Sequence, residues 1–227
     1  MTHLRVATFN IKHGSDRDGN IDLPRLSAAC SRLEADVLAI QEVDRFARRT
    51  RYRDEMRVIA KATGLQAVFG EAARRRWRSY GNVLLARGPI SDVEVIRLPR
   101  PGDGEQRVAI VARVDIDGVG LAVGATHLSF RAGEGLPQLA VMLDALGRRE
   151  GPRLLLGDLN LGPEVVEPAV TAAGYRLAPT GPTFPARGPR TRIDFVAVSG
   201  LEILAASTPE PGVSDHLPVV AEVRPPA

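Results

Sequence analysis

The sequence of 227 residues is poor in cysteine and contains no long apolar run. Its one cysteine, Cys30, lies near Leu26 and Leu33 at helical spacing, which is typical of a small core residue, and no disulfide can form within the chain. No apolar segment approaches membrane-spanning length, and residues 1–5 lack the parts of a secretory signal. We therefore expect a cytoplasmic protein with no transmembrane segment, and nothing in the sequence indicates an obligate protein partner.

Lysine is also rare, because only Lys12 and Lys61 occur and arginine supplies the other basic side chains. The net charge is +3, yet the arginines cluster in two segments that could bind phosphates. The first segment contains Arg45, Arg48, Arg49, Arg51, Arg53 and Arg57, and the second contains Arg74, Arg75, Arg76, Trp77 and Arg78. For the first, a solvent-exposed helix face is an equal alternative. For the second, we favour a loop that contacts substrate through Arg76, Trp77 and Arg78.

An apolar content of 44% is enough for one sizeable core, and no linker or internal repeat divides the chain. Residues 1–227 are therefore predicted to form a single domain. Helices are expected over residues 23–34, 54–63 and 136–146, the first capped by Asp22 and the second stopped by Gly64. Short apolar runs typical of strands surround them, with a hairpin turn at residues 117–118. These runs are residues 4–9, 36–40, 66–69, 82–86, 93–98, 108–115, 120–125, 153–156, 193–198, 201–205 and 219–223.

Hairpins mixed with a few helices favour two β-sheets packed face to face, with helices on the outer faces. The predicted fold class is therefore α/β, as a four-layer α/β/β/α sandwich of two packed mixed β-sheets. Loops from both sheets meet at one edge of such a sandwich, so polar residues at the strand ends should converge there.

Two polar residues near the ends of the first two strands are candidates for a metal site. Glu42 follows the apolar run Val37–Ile40, where an unpaired charge would be costly without a cation. Carboxylate oxygens without nearby cysteine or histidine suit Mg²⁺ or Mn²⁺ better than Zn²⁺. Asn10 closes the first strand, and its amide either orients a carboxylate or phosphate oxygen or forms a turn. Taken alone, Asn10 favours the turn.

A second set of polar residues has the chemistry of proton transfer and phosphate contact. Asp158 and Asn160 are two positions apart, so their side chains point to the same face of an extended segment. An Asx turn is the alternative, but it explains one polar residue more readily than two. Asp194 can hold the imidazole of His216 in one tautomer and stabilise its cationic form. His127 is either a core histidine or a member of the same site.

Seven short motifs follow one another along nearly the whole chain. They are Thr8–Ile11, Ile40–Asp44, Tyr80–Leu85, Thr126–Leu128, Gly157–Asn160, Arg192–Phe195 and Ser214–Pro218. Each motif alone is common, but the ordered set is specific. It resembles the endonuclease/exonuclease/phosphatase superfamily, which has the fold of pancreatic deoxyribonuclease.

This resemblance implies a metal-dependent phosphoester hydrolase. Glu42 would be the main ligand of Mg²⁺ or Mn²⁺, with Asn10 beside it and Asp215 able to complete that site or a second one. His216 would be the catalytic histidine, oriented by Asp194. The implied reaction is in-line attack of water on phosphorus.

The resemblance also implies roles for the remaining polar residues. Asp158 and Asn160 are similar to the pair that positions the attacking water and a phosphoryl oxygen, and His127 is similar to the histidine that contacts the phosphate across the site. Nuclease members often carry a carboxylate near the position of Tyr80 and Asn82. We therefore expect these two residues to contact substrate, and the partner of His127 stays open.

Three functions compete. A nuclease acting on DNA or RNA is favoured by the basic segments and by Trp77, because base stacking combined with phosphate contacts suits exposed strands. The alternative is a phosphatase or phosphodiesterase of a small phosphorylated metabolite or lipid headgroup, although no apolar hairpin for a lipid is evident. A non-catalytic binding module is disfavoured because the matched positions carry chemically competent residues.

Overall fold

The structure, a computed structural model, describes residues 3–16 and 18–225. Within this part of the chain, twelve strands form two six-stranded sheets. The first sheet contains β1 (Leu4–Asn10), β2 (Val37–Arg45), β3 (Gln66–Arg75), β4 (Arg78–Ala86), β11 (Glu202–Ser207) and β12 (Val219–Arg224). The second contains β5 (Ile90–Arg97), β6 (Val108–Ile116), β7 (Val119–His127), β8 (Arg153–Asp158), β9 (Arg176–Leu177) and β10 (Asp194–Ser199). The helices are α1 (Leu23–Arg32), α2 (Glu55–Thr63), α3 (Gly135–Gly147) and α4 (Pro163–Ala172).

The order and direction of the strands bring the predicted site residues to the same end of each sheet. The first sheet has the order β11-β12-β1-β2-β4-β3, and the second has the order β5-β6-β7-β8-β10-β9. β1 runs parallel to β2 and β7 runs parallel to β8, whereas β4, β10 and β12 are antiparallel to their neighbours. The carboxyl ends of the parallel strands therefore lie beside the amino ends of β4, β10 and β12.

The core forms because alternate residues of a strand point to opposite faces of its sheet. In β2, Val37 and Ala39 belong to the cluster between the two sheets, whereas Leu38 and Ile40 pack with α1 and α2 on the outer face. Helices α3 and α4 cover the outer face of the second sheet in the same way. The predicted four-layer sandwich is confirmed.

Local signals position several element boundaries as predicted. Asp22 Oδ1 accepts the backbone N–H of Arg25 at 2.9 Å and caps α1. Helix α2 ends at Gly64, whose φ of 73° lies in the left-handed region that glycine adopts without strain. Asp117 and Gly118 join β6 to β7 as a two-residue hairpin with positive φ at both positions.

Other boundaries differ from the prediction. β2 continues to Arg45, so Glu42 lies inside a strand, at a bulge where the register with β4 shifts. β3 and β4 also extend, and Arg75 pairs with Arg78. Residues 74–78 are therefore the tip of a β-hairpin and not the predicted loop.

Helix α4 is absent from the prediction. Pro163 lies in its first turn, where a missing N–H is tolerated, but Pro168 lies inside it, where proline normally interrupts a helix. Val166 and Val170 are buried against the second sheet, so tertiary packing stabilises a helix that local propensity disfavours. In residues 3–16 and 18–225, no helix has the length and apolar character needed to cross a membrane.

Candidate active site

The strand ends of both sheets place five polar side chains close together. Asn10 ends β1, His127 ends β7 and Asp158 ends β8, while Asp194 begins β10 and His216 precedes β12. The strand register aligns His127 with Asp158 and Asp158 with Asp194. Residues far apart in sequence thereby reach one edge of the sandwich.

Gly157 allows the close approach of β8 to β7 beside Asp158. A Cβ atom at this position would lie 2.3 Å from the carbonyl oxygen of Thr126, which is too close for any side chain. A substitution of Gly157 must therefore displace the backbone, and the carboxylate of Asp158 with it.

Asn10 connects the two halves of the site. Its Nδ2 donates to Glu42 Oε1 at 3.1 Å and to Asp158 Oδ2 at 2.9 Å, and its Oδ1 accepts the N–H of Lys12 at 3.0 Å. Asn10 is almost fully buried. The amide therefore orients one carboxylate from each sheet. This role goes beyond the turn that the sequence position of Asn10 alone favoured.

Glu42 is held as a carboxylate. Burial would raise its pKa, but the adjacent His13 ring and the amide of Asn10 lower that pKa below its ordinary value. The residue also has a φ of 60°, a left-handed conformation that is uncommon for non-glycine residues and is often found at functional sites. An ionised carboxylate is what a hard divalent cation requires.

The surroundings of Asp215 fit a cation site. Its Oδ2 lies 2.8 Å from Nζ of Lys12, whereas its Oδ1 is buried and has no hydrogen-bond partner among the residues that the structure describes. Nδ1 of His13, which lies 3.6 Å from Glu42 Oε2, is also buried without a hydrogen bond. Buried polar atoms are normally paired, so Asp215 Oδ1 and His13 Nδ1 are each chemically suited to contact a divalent cation.

Asp194 and His216 form the pair that the sequence indicated. His216 Nδ1 lies 3.0 Å from Asp194 Oδ2, and both side chains are buried. Burial alone would lower the pKa of His216, but the charge and hydrogen bond of Asp194, with the charges of Asp158 and Asp215, raise that pKa to about 9. His216 is therefore an imidazolium at neutral pH, with Nδ1–H directed at Asp194.

Asp158 lies at the centre of the hydrogen-bond network. Its Oδ2 accepts from Asn10, and its Oδ1 accepts the N–H of Asn160 at 3.0 Å. Burial, followed by the negative charge of Asp194, raises the pKa of Asp158 to about 7. Asp158, Asp194 and His216 offer ligand atoms that all lie within 4.8 Å of one another, a buried group that could also hold a metal ion.

His127 is a neutral member of the site. Arg107 Nη1 lies 2.9 Å from His127 Nδ1, and a guanidinium can only donate, so Nδ1 accepts and the ring hydrogen is on Nε2. Nε2 lies 3.4 Å from Asp158 Oδ2. Burial and the charge of Arg107 lower the pKa of His127 to about 3. The partner of His127 that the sequence left open is thus Arg107.

The predicted substrate residues occupy different environments. Tyr80 is partly buried on β4, where burial and the charge of Glu42 raise its pKa. Asn82 is buried, and its Nδ2 donates to the carbonyl oxygen of Val108 at 3.1 Å, so its amide ties the two sheets together. A substrate contact by Asn82 stays a prediction. Arg76, Trp77 and Arg78 are exposed at the hairpin tip.

Three side chains of the site were not predicted from the sequence: Lys12, His13 and Arg107. Lys12 and His13 directly follow the motif Thr8–Ile11 in a short 3₁₀ turn, so their place next to a recognised motif was an available signal. Arg107 has no such signal, because its position beside His127 depends on the pairing of β6 with β7.

The fold and the site together define a hydrolase of phosphoesters. A model of the Endonuclease/Exonuclease/phosphatase family matches residues 7–216, and the chain belongs to this family. The matched range includes every candidate metal ligand and catalytic residue. No curated protein matches the chain.

Solved structures share the fold over nearly the whole chain. An endonuclease/exonuclease/phosphatase from Beutenbergia cavernae is 23% identical with a TM-score of 0.79, over 98% of this chain and 71% of its own. One from Bacteroides vulgatus is 18% identical with a TM-score of 0.80, over 100% of both chains. A mannosyl-6-phosphatase from Bacteroides thetaiotaomicron is 16% identical with a TM-score of 0.76, over 97% of this chain and 99% of its own. At these identities the likeness is one of fold.

Proposed function

We propose that the protein hydrolyses phosphodiester bonds with the help of a divalent cation, by in-line attack of water on phosphorus. The observation that carries this proposal is the environment of Asp158. Its carboxylate accepts hydrogen bonds from Asn10 and Asn160 and lies 3.4 Å from Nε2 of His127. It also lies 3.9 Å from Nδ1 of His216. One carboxylate is thus surrounded by groups that can donate to a phosphate.

Glu42 and Asp215 would hold the cation, for which Mg²⁺ is the first candidate and Mn²⁺ the second. When bound, the cation would neutralise negative charge on the phosphoryl and leaving oxygens. Asn10 orients Glu42 through its Nδ2, and a direct role for Asn10 as a ligand stays a prediction. Lys12 adds a fixed positive charge beside Asp215.

Asp158 is the group best suited to accept the proton of the attacking water. Its pKa of about 7 makes the carboxylate basic enough to take a proton near neutral pH. His216 is less suited as the base, because its raised pKa keeps it protonated at that pH. As the water oxygen attacks phosphorus, its proton would move to Asp158, the P–O bond to the ester oxygen on the opposite side would break, and that leaving oxygen would take up a proton from solvent.

His216 and His127 would contact the phosphoryl oxygens as donors. His216 does so as a cation held by Asp194, and His127 does so through the hydrogen on Nε2. Asn160 donates one amide hydrogen to the carbonyl oxygen of Leu128 at 3.0 Å. Its second amide hydrogen is free to donate to a phosphoryl oxygen, and its Oδ1 is free to accept from water.

Nucleic acid is the favoured substrate class. The hairpin tip at residues 74–78 carries four arginines and projects from the sheet edge that holds the site. Such a positively charged projection suits a substrate with many phosphates.

A small phosphorylated metabolite is the second candidate. A surface cavity of about 620 Å³ is lined by Arg190, Arg192 and Ile193, the last of which precedes Asp194 in the chain. One structural neighbour is named a mannosyl-6-phosphatase, which supports the same alternative. The cavity could receive the polar body of such a molecule while its phosphate reaches the catalytic centre.

A panel of phosphoesters tests the proposal. It should contain single- and double-stranded DNA, RNA, sugar phosphates, inositol phosphates and a small chromogenic diester, each with Mg²⁺, Mn²⁺ or EDTA. We expect turnover of a diester with a divalent cation and little in EDTA. Asp158→Asn, which keeps the side-chain shape, is the matched inactive control. Hydrolysis that persists in EDTA and in the Asp158→Asn variant would refute the proposed function.

A further inference from the structure

The loop between β2 and α2 and the tip of the hairpin between β3 and β4 form one surface. Tyr52 from the loop contacts Trp77 from the hairpin, with ring centroids 5.3 Å apart. Tyr52 is 49% exposed and Trp77 is 52% exposed. Scattered apolar side chains on a surface are ordinary, but two large adjoining rings from separate segments mark an interaction site. We call this pair, with the arginines around it, the aromatic platform.

One arginine lies against both rings, and further exposed arginines lie in the same two segments. The guanidinium carbon of Arg78 lies 5.0 Å from the ring centroid of Trp77 and 5.9 Å from that of Tyr52. Five further exposed arginines come from the same two segments, and none of them forms an ion pair within the described part of the chain. They are Arg48, Arg51, Arg53, Arg75 and Arg76. By contrast, Arg45 and Arg49 are paired with acidic residues.

The exposed arginines that form no ion pair indicate which kind of ligand this surface would bind. Like charges that lie close together repel one another, and none of these five arginines has a carboxylate of the described chain within ion-pair distance. A ligand with several negative charges would relieve that repulsion. The exposed arginines of the two segments thus add positive charge to the surface that carries the two rings.

The platform lies at the edge that carries the catalytic centre. Trp77 is at the hairpin tip, and Tyr80 is three residues further along β4, a distance of about 10 Å at the rise of an extended strand. Tyr80 pairs with Asp44 on β2, two residues from Glu42. A chain of phosphodiesters that is bound at the centre could therefore continue onto the platform.

We propose that the aromatic platform stacks unpaired nucleobases of a single-stranded nucleic acid, while the surrounding arginines contact its phosphates. This inference rests on the proposed function and narrows its substrate class to single strands. Aromatic rings stack with any base whose face is free, whereas the faces of bases inside a duplex are covered by neighbouring base pairs. The recognition would consequently have little sequence preference.

Intrinsic fluorescence tests the platform directly, because Trp77 is the only tryptophan of the chain. The full chain is titrated in EDTA, which prevents hydrolysis, with an oligothymidylate strand, a matched blunt-ended duplex and inorganic polyphosphate. The single strand should quench the fluorescence in a saturable way. The duplex hides its base faces and polyphosphate has no bases, so both should quench far less.

Single substitutions then separate stacking from charge. Tyr52→Ala should weaken binding of the single strand by about tenfold or more, the order found when a base-stacking side chain is removed. Tyr52→Phe keeps the ring and should bind like the unchanged protein. Arg51→Gln should weaken binding and lower the salt dependence by roughly 0.7 of a slope unit per lost phosphate contact. Arg32→Gln is the matched charge control, because Arg32 lies at the end of α1 just before β2 and away from the site edge. This variant should change neither the binding of the single strand nor its salt dependence.

Hydrolysis of the small chromogenic diester separates this inference from the proposed function. If the Tyr52→Ala variant binds single strands normally, or if the duplex or polyphosphate quenches the fluorescence most strongly, the platform inference is overturned. The proposed function survives that result as long as the diester is still hydrolysed. Quenching by single strands without hydrolysis of any phosphoester would instead retain the platform and refute the proposed function.

Discussion

Arg107 Nη1 lies 2.9 Å from His127 Nδ1 inside a site where both side chains are buried. Because the guanidinium only donates, this contact decides which nitrogen of the neutral ring carries hydrogen. Arg107 therefore acts as a positioning residue that directs Nε2–H of His127 towards Asp158 and any phosphate beside it.

Arg107→Gln is expected to raise the pKa of His127, since the charge of Arg107 is the largest cause of its low value after burial. Turnover should fall by up to ~10²-fold, the order that a misplacement of about 1 Å costs. An NMR titration of the histidine ring protons measures the pKa. Arg107→Lys, which keeps a charged donor, should recover part of the activity. An unchanged pKa of His127 in Arg107→Gln would show that the guanidinium and the imidazole do not interact in solution.

Removal of either proposed ligand should abolish cation binding. For Glu42→Gln and Asp215→Asn, the affinity for Mn²⁺ measured by calorimetry should fall by more than the roughly 10–100-fold typical of outer-shell changes. Lys12→Gln is the contrasting variant. Its ammonium group repels a cation at Asp215, so its removal should leave Mn²⁺ binding equal or tighter. Normal Mn²⁺ binding by both carboxylate variants would locate the cation elsewhere, for example at Asp158, Asp194 and His216.

Asp158 and His216 should act as a unit, because their side chains lie 3.9 Å apart in one network. Each single change to alanine is expected to reduce turnover by at least ~10²-fold, and the double change should cost less than the product of the two. The double-mutant cycle is measured on the chromogenic diester under saturating Mg²⁺. Strictly multiplicative losses would mean that the two residues contribute separately.

The pair of Asp194 and His216 predicts a pH-dependent stability in the metal-free protein. The pKa of His216 is raised from an ordinary 6.5 to about 9, so the pair contributes stability that is fully present below about pH 6.5 and is lost as the pH rises through 9. The difference in Tm between the unchanged protein and Asp194→Asn, measured in EDTA, should therefore shrink from pH 6 to pH 10. A difference that is constant with pH would assign Asp194 a purely structural role.

Substitution of Glu55 should have the opposite effect on stability from substitution of Asp194. It is fully buried on α2, its Oε2 accepts the N–H of Asp44 and its Oε1 has no partner. Burial raises the pKa of Glu55 from an ordinary 4.5 to about 8, so stability is lost as the pH rises through 8 and the side chain ionises.

Glu55→Gln keeps the hydrogen-bond acceptor without the titration. The variant should match the unchanged protein near pH 5 and should exceed its Tm above pH 8 by at least about 2–4 °C, the shift that 1 kcal/mol gives in a chain of this size. Calorimetric scans at pH 5 and pH 9 in EDTA measure both values. Equal Tm values at pH 9 would contradict the buried, protonated state of Glu55.

The sequence allowed the layers and most of the element boundaries to be predicted, because they depend on local physics. The continuous apolar run Val37–Ile40 indicated a buried strand, and Asp22 and Gly64 mark helix ends through their own capping and backbone preferences. The ordered motifs also indicated which polar residues belong to the site, and the structure places Asp194 beside His216 as expected.

The tertiary structure alone decided which side chains contact each other across the sheets. Asn10 reaches Asp158 and Arg107 reaches His127 only because two sheets stack and their strand ends coincide, and long-range register leaves no mark in a local pattern. The same reason explains why Tyr52 and Trp77, which lie in separate segments, were not paired in advance. The sequence thus determined the chemical groups and their strand ends, and packing between distant strands determined how those groups are combined.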